Sequence, residues 1–306
     1  MQTVLITGGT GLIGTALTGL LLQKGYRVII LTREPDEYAA DDPSVQYAAW
    51  NVEEQRMDKT AVARADHIIH LAGANVASRR WTTERKLEIV ESRTQGSALL
   101  VDTLKQVHHH VKSVISASAI GWYGADEKSG SDFTESAPPA PDFLGITCKA
   151  WESSIEPVRE LGIRLVKLRT GIVLSRAGGA LAEFKRPLRA GIATVLGSGE
   201  QKMSWIQLED LCRMYLFAME NESITGVYNA VAPGVTSQKK LVLELARLLR
   251  RNFFIPVHVP RSLVRLALGE MSTEVLKSTR VSAGKITAAG FEFLYPGIEA
   301  ALPQCV

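Results

Sequence analysis

The chain has 306 residues, 46% hydrophobic and 22% charged, which is the composition of a globular protein able to bury one large core or two smaller ones. Its net charge of +3 comes from 35 basic and 32 acidic residues scattered along the sequence, without the basic stripe that a nucleic-acid surface needs. Cys148, Cys212 and Cys305 fit neither a disulfide framework nor a zinc spacing, no apolar run is long enough to span a bilayer, and no basic cleavable leader opens the chain. The expectation is a cytoplasmic protein with no metal, no membrane and no nucleic-acid partner.

In chain order, the strand candidates are TVLIT at 3–7, RVIILT at 27–32, VQYAAW at 45–50, HIIHLAG at 67–73, VISAS at 114–118 and RLVKLR at 164–169. Helical patterns start near Leu12, Thr83 and Leu144, the middle one running to about Gln106. This alternation implies βαβ units on a doubly wound parallel sheet covered on both faces, an α/β fold. After Arg169 the rhythm loosens into glycine-rich loops, the segment MSWIQLEDL, a strand candidate GVYNAV and helices at 238–251 and 261–268. That half reads as a smaller α/β lobe, residues 171–306, partly interleaved with the sheet of residues 1–170.

The run VLITGGTGLIG at 4–14 places glycines between the first strand and the first helix. Gly8, Gly11 and Gly14 are spaced by three, and Gly9, Gly11 and Gly14 satisfy G-x-G-x-x-G. Either set supplies a tight turn, a backbone that a pyrophosphate can approach, and close helix packing, with free N–H groups at the helix start. A glycine pattern alone is weak, but a second strand follows within the ~30 residues of a βαβ unit. At the end of that strand, about 20 residues past the last glycine, a carboxylate would bind a ribose 2′-hydroxyl and an arginine a 2′-phosphate. The chain has Thr32 and Arg33 there, with Glu34 adjacent, so the expectation is NADP(H).

The motifs ITGGTGLIG, HLAGANV…RRWT, ESR, SASAIGWYG, LRTGIVL, GSGEQKMSWIQLEDL, GVYNAVAPGVT and GFEF follow one another along nearly the whole chain. In this order they resemble the atypical short-chain dehydrogenase/reductases of the epimerase-like, cell-division-inhibitor-like group. The resemblance implies a Rossmann domain with bound NADP(H) and a small C-terminal substrate lobe. It implies a pyrophosphate turn at Gly8, Thr10, Gly11, Leu12, Ile13 and Gly14, and a 2′-phosphate site at Thr32 and Arg33. Trp50 and Asn51 would meet the adenine edge, Leu71, Ala72 and Gly73 would line the cofactor, Glu88 and Arg93 would face it from the next helix, and Ile172 would touch the nicotinamide end.

Members of that wider family carry Tyr-x-x-x-Lys, in which lysine holds the ribose and tyrosine works as general acid or base. Counting back four from Lys149 gives Gly145, and a shifted alignment offers Phe143, so the tyrosine is missing. Lys149 remains a ribose candidate, Ser118 matches the catalytic hydroxyl with Ser116 a weaker match, and Tyr123 is the nearest phenol that could substitute. His108, His109 and His110 read as a solvated turn, Asp210 as a helix-start residue, and the basic residues of GGALAEFKRPLRAG either as a solvated helix face or as facing an anionic substrate. Two functions follow: an NADP(H)-dependent oxidoreductase or epimerase-type enzyme acting on a small carbonyl or alcohol, or a non-catalytic NADP-binding sensor.

Overall fold

The computed structural model describes residues 1–40, 42–126, 132–251 and 253–306. Its centre is an eight-stranded sheet. Strands β1 (Thr3–Thr7), β2 (Arg27–Thr32) and β3 (Val45–Asn51) run outward on one side and end at the short β4 (Arg56–Met57). The chain then crosses back to β5 (His67–His70), β6 (Ser113–Ala119) and β7 (Arg164–Thr170) on the other side of β1. All these neighbours are parallel except the β3–β4 hairpin. The strand order therefore reverses between β1 and β5, the place where doubly wound sheets open a crevice at their carboxyl ends.

The connecting helices are α1 (Leu12–Gln23), α2 (Lys59–Ala63), α3 (Thr83–Gln106) and α4 (Phe143–Ile155). Beyond β7 come β8 (Ile172–Leu174), α5 (Ala180–Leu188), β9 (Ile192–Leu196), β10 (Lys202–Met203), β11 (Trp205–Gln207), α6 (Leu208–Glu220) and β12 (Gly226–Ala230). They are followed by β13 (Thr236–Ser237), α7 (Gln238–Arg250), β14 (Ile255–Val259), α8 (Arg261–Leu268) and α9 (Ser272–Leu276). Strand β12 pairs parallel with β7, so the second half of the chain completes the sheet. The helix expected near Leu144 begins at Phe143 and the one expected at 238–251 ends at Arg250, α5 lies in the segment GGALAEFKRPLRAG, for which a solvated helix face is one reading, and α2 was not anticipated. Helix α2 is only five residues long, too short to show an amphipathic period.

Strand alternation sends Val4, Ile6, Val28, Ile30 and Ile115 to one face, where α1 and α6 cover them, and Leu5, Ile29, Leu31, Ile68 and Val114 to the other, under α3 and α4. A third cluster joins α5, α7 and Trp205 beside the carboxyl ends of β6 and β7. At about 25 cal/mol per Å² of apolar surface, each fully buried Leu or Ile in these layers contributes roughly 2 kcal/mol. Asp210 lies in the first turn of α6 as expected, but it is fully buried and accepts from the Leu294 and Tyr295 N–H groups at 2.9 Å, tying the C-terminal segment to the sheet. The three cysteines are buried and unpaired, and no helix among the described residues is long and apolar enough to cross a membrane.

Candidate active site

The turn after β1 is shaped by close approach. Gly8 has φ +70°, and a Cβ there would meet the Ala72 nitrogen at 3.0 Å, so the turn packs directly on the segment leaving β5. A Cβ on Gly14 would sit 2.5 Å from the Gly8 oxygen and the Gly9 Cα, which fixes the distance between α1 and the turn. Gly11 starts α1 without a side-chain cap, and the first turn holds no acidic residue, so its N–H groups remain open to an anion. Thr10 and Gly11 are exposed, with Leu12 and Ile13 half-buried behind them.

One side chain aligns the opposite wall. Thr7 Oγ1 accepts from the Leu71 and Ala72 N–H groups at 3.1 Å and lies 2.8 Å from His70 Nδ1. With both lone pairs used, the Thr7 hydroxyl donates to Nδ1, which places the ring proton on Nε2, 3.2 Å from Ser97 Oγ. Burial pushes the His70 pKa down to about 4, so the neutral ring holds Leu71, Ala72 and Gly73 in place.

Between these walls lies a cleft of about 630 Å³. Gly8, Thr10, Thr32, Arg33, Trp50 and Asn51 line it from β1 to β3, and Ala72, Gly73 and Glu88 from the other side. Arg33 is exposed at the end of β2 and makes no ion pair among the described residues. Asn51 Oδ1 accepts from the Glu53 and Glu54 N–H groups, leaving its amide N–H for a ligand. Glu88 is exposed and bound to Arg85 and Arg79, whose hydrogen bonds hold its carboxyl below the usual range.

Arg93 lines a second, neighbouring cavity of about 370 Å³. Its guanidinium packs against Gly73, lies 4.9 Å from the Trp151 ring, donates to the Ile89 carbonyl and has no carboxylate partner among the described residues. Burial lowers its pKa to about 10. The Trp151 indole N–H is likewise buried without a partner among the described residues. A buried cation lacking an anion costs several kcal/mol unless a ligand supplies one. Ile172, Leu144, Thr147 and Cys148 also line this cavity, closed by Phe184, Lys202, Met203 and Val275 from the second half of the chain.

Four expected site residues lie elsewhere. Lys149 is exposed on the outer side of α4 and lines neither cleft, because the helix turns Leu144, Cys148 and Trp151 inward and position 149 some 100° away. The pair at the Tyr-x-x-x-Lys spacing that faces the cavity is Leu144 and Cys148, and burial raises that thiol to about 12. At Gly145 a Cβ would collide with the Ala140 carbonyl oxygen, so the helix approaches that loop too closely for a tyrosine. The Phe143 ring packs edge-on against Trp81.

Ser118, 3% exposed, donates to Glu152 Oε1 at 2.7 Å beneath α4, since even-numbered positions of β6 face that helix. The same carboxylate forms a two-point ion pair with buried Arg169 at 2.7 and 3.0 Å. Tyr123, 4% exposed, donates to Asn229 Oδ1 at 2.6 Å and accepts from Arg169 at 3.0 Å, and burial raises its pKa to about 12. Ser116 is fully buried within β6 and donates to the Ala117 carbonyl. These hydroxyls hold the sheet end together and do not reach either cleft. Sequence reasoning missed Cys148, Trp151, Phe184, Lys202 and Val275; the inward phase of α4 was available for the first two, and nothing local marks the others. The histidine run lies in the loop between α3 and β6, and no cluster of metal-ligating side chains is found among the described residues.

Residues 4–230 match the NAD dependent epimerase/dehydratase family and residues 259–305 a domain of unknown function, DUF1731. An epimerase family protein of Staphylococcus saprophyticus is 37% identical over the whole of both chains, and one of Staphylococcus haemolyticus is 36% identical over the whole of this chain and 99% of that one. The crystal structure of the human epimerase family protein SDR39U1 with NADPH superposes with a TM-score of 0.84 at 27% identity, covering 99% of each chain. The chain belongs to the NAD dependent epimerase/dehydratase family.

Proposed function

We propose that this member of the family is an NADP(H)-dependent oxidoreductase or epimerase-type enzyme acting on a small carbonyl or alcohol. The observation that carries the reading is that a polar crevice at the sheet's switch point and an apolar cavity lie side by side, with Arg93 of the cavity packed on Gly73 of the crevice. The residues present fit a dinucleotide. Gly8 and Gly14 let the turn pack directly on Ala72 and on the start of α1, that start offers open N–H groups, and Arg93 is a buried cation lacking an anion among the described residues. When bound, the cofactor supplies a hydride donor or acceptor. The chain's own part is to bind it along the walls from Gly8 to Asn51 and from Ala72 to Gly73, and to exclude water with Ile172, Leu144 and Phe184. Arg33 favours the phosphorylated form, because a guanidinium meets a 2′-phosphate with two hydrogen bonds. The NADPH complex of the human relative supports this preference.

A charge-assisted hydrogen bond contributes ~1.5–3 kcal/mol, or about ten- to a hundred-fold in affinity. Arg33→Ala is expected to weaken NADPH by that factor and leave NADH nearly unchanged in a fluorescence titration; equal losses refute the assignment. Deuterium transfer from labelled NADPH to a carbonyl panel tests the chemistry. One observation favours a non-catalytic NADP(H) sensor as the second reading: the cavity-facing pair Leu144 and Cys148 offers no ready proton donor. Tight NADPH binding without transfer across a broad panel supports that alternative.

A further inference from the structure

The cavity beyond Arg93 has a chemistry that restricts its occupant. Sugar hydroxyls and phosphates require free partners, since a buried polar group left unpaired costs ~1–3 kcal/mol. The hydroxyls around this cavity already donate within the protein: Thr147 to the Phe143 carbonyl at 2.7 Å, Thr170 to Leu168 at 3.3 Å, Ser204 to Thr279 at 3.1 Å and Thr279 to Gly124 at 2.7 Å. The Gln238 amide bridges Thr194 and Leu196 at 3.1 and 3.2 Å. Glu274 and Lys277 are paired with each other at 2.7 Å. What remains towards the space is apolar, Ile120, Leu144, Phe184, Met203 and Val275, with the unpaired indole N–H of Trp151 as a single neutral donor beside it. Besides Arg93, the one lining cation without an acidic partner among the described residues is Lys202, exposed on β10.

We propose that the substrate is a compact aromatic or alicyclic carbonyl compound, or its alcohol, carrying one carboxylate that pairs with Lys202, and that nucleotide sugars are not accepted. The proposal rests on reading the adjoining cleft as the NADP(H) site. A nucleotide sugar would bring several hydroxyls and a diphosphate to walls that, beyond Arg93, present one free ammonium and one indole N–H. An apolar ring needs only the volume of about 370 Å³ and the aliphatic and aromatic lining.

Isothermal titration calorimetry on the full chain saturated with NADP⁺ tests this with three probes: 4-acetylbenzoate, its neutral counterpart 4-methylacetophenone, and UDP-glucose. The expected result is binding of the acid about ten-fold tighter than the neutral ketone, and no UDP-glucose heat at millimolar concentration. Lys202→Gln should bring the acid to the level of the neutral ketone, while Lys202→Glu should favour 4-(aminomethyl)acetophenone over the acid. Binding of UDP-glucose as tight as the acid, no binding of either ketone, or an unchanged acid affinity in Lys202→Gln overturns the proposal. A failed NADP⁺ titration is read separately and overturns the cofactor reading, and the acid is then titrated into the unliganded chain, where the Lys202 comparison is unchanged.

Discussion

The crevice at the ends of β1, β2 and β5 and the cavity behind Arg93 are built in opposite ways. Each wall of the crevice is a continuous piece of chain running out of a strand, such as Gly8 to Gly14 or Leu71 to Gly73, held by close backbone packing and by the Thr7 hydroxyl. The cavity is assembled from the ends of β6 and β7, the inner face of α4, α5, β10 and α9, segments that are far apart in sequence. Local geometry dictates the first and allows few substitutions. The second depends on tertiary packing, so its chemistry can change without altering the fold.

The strongest way to test that contrast is through the ion pair under α4, which belongs to neither cleft. Glu152→Ala leaves Arg169 charged and buried, and is expected to cost ~3–5 kcal/mol, read as a urea unfolding midpoint. A loss below 1 kcal/mol would show that the pair does not hold the end of the sheet to α4.

Acid should loosen the crevice next. His70 has a folded pKa of about 4 against an ordinary value near 6.5, so its neutral form contributes stability that is present above 6.5 and is lost as pH falls towards 4. Roughly 2–3 kcal/mol should disappear between pH 7 and pH 4.5 on this account, with His67, also held near 4 by burial, adding to the slope. His70→Gln should flatten that dependence; an identical slope in the variant would remove His70 from it.

Gly14→Ala puts a Cβ against the Gly8 carbonyl, so the turn or α1 must shift at a cost of ~1–3 kcal/mol. NADPH affinity should fall about ten-fold or more, while binding of 4-acetylbenzoate in the cavity changes far less. Parallel losses at both sites would break the distinction drawn between them.

The smallest effects concern the expected catalytic groups. Ser118→Ala should lose about 1 kcal/mol of stability, through the hydrogen bond to Glu152, with NADPH affinity unchanged. Lys149→Ala should alter both stability and NADPH affinity by less than about 0.5 kcal/mol, because the side chain is exposed. A tenfold loss of NADPH affinity in Lys149→Ala would restore it to the ribose site.

The alternation of short apolar runs with helical periods determined the parallel sheet, and the glycine spacing determined the turn, because both are consequences of backbone geometry within a few residues. The crevice was legible for the same reason: Gly8, Thr10, Thr32, Arg33, Trp50, Asn51, Ala72 and Gly73 lie at strand ends or in the turns that follow them. Hydroxyl and ammonium groups obeyed no such rule. Whether Ser118 faces a substrate or Glu152 depends on a helix thirty-four residues away, and whether Tyr123 is free depends on Asn229, at a separation of 106 residues. A shift of one position on α4 separates exposed Lys149 from buried Cys148, a rotation of about 100° that a motif aligned by spacing does not register. Tertiary structure alone decided the apolar cavity, since Phe184, Lys202 and Val275 come together only when the second half of the chain packs over the ends of β6 and β7.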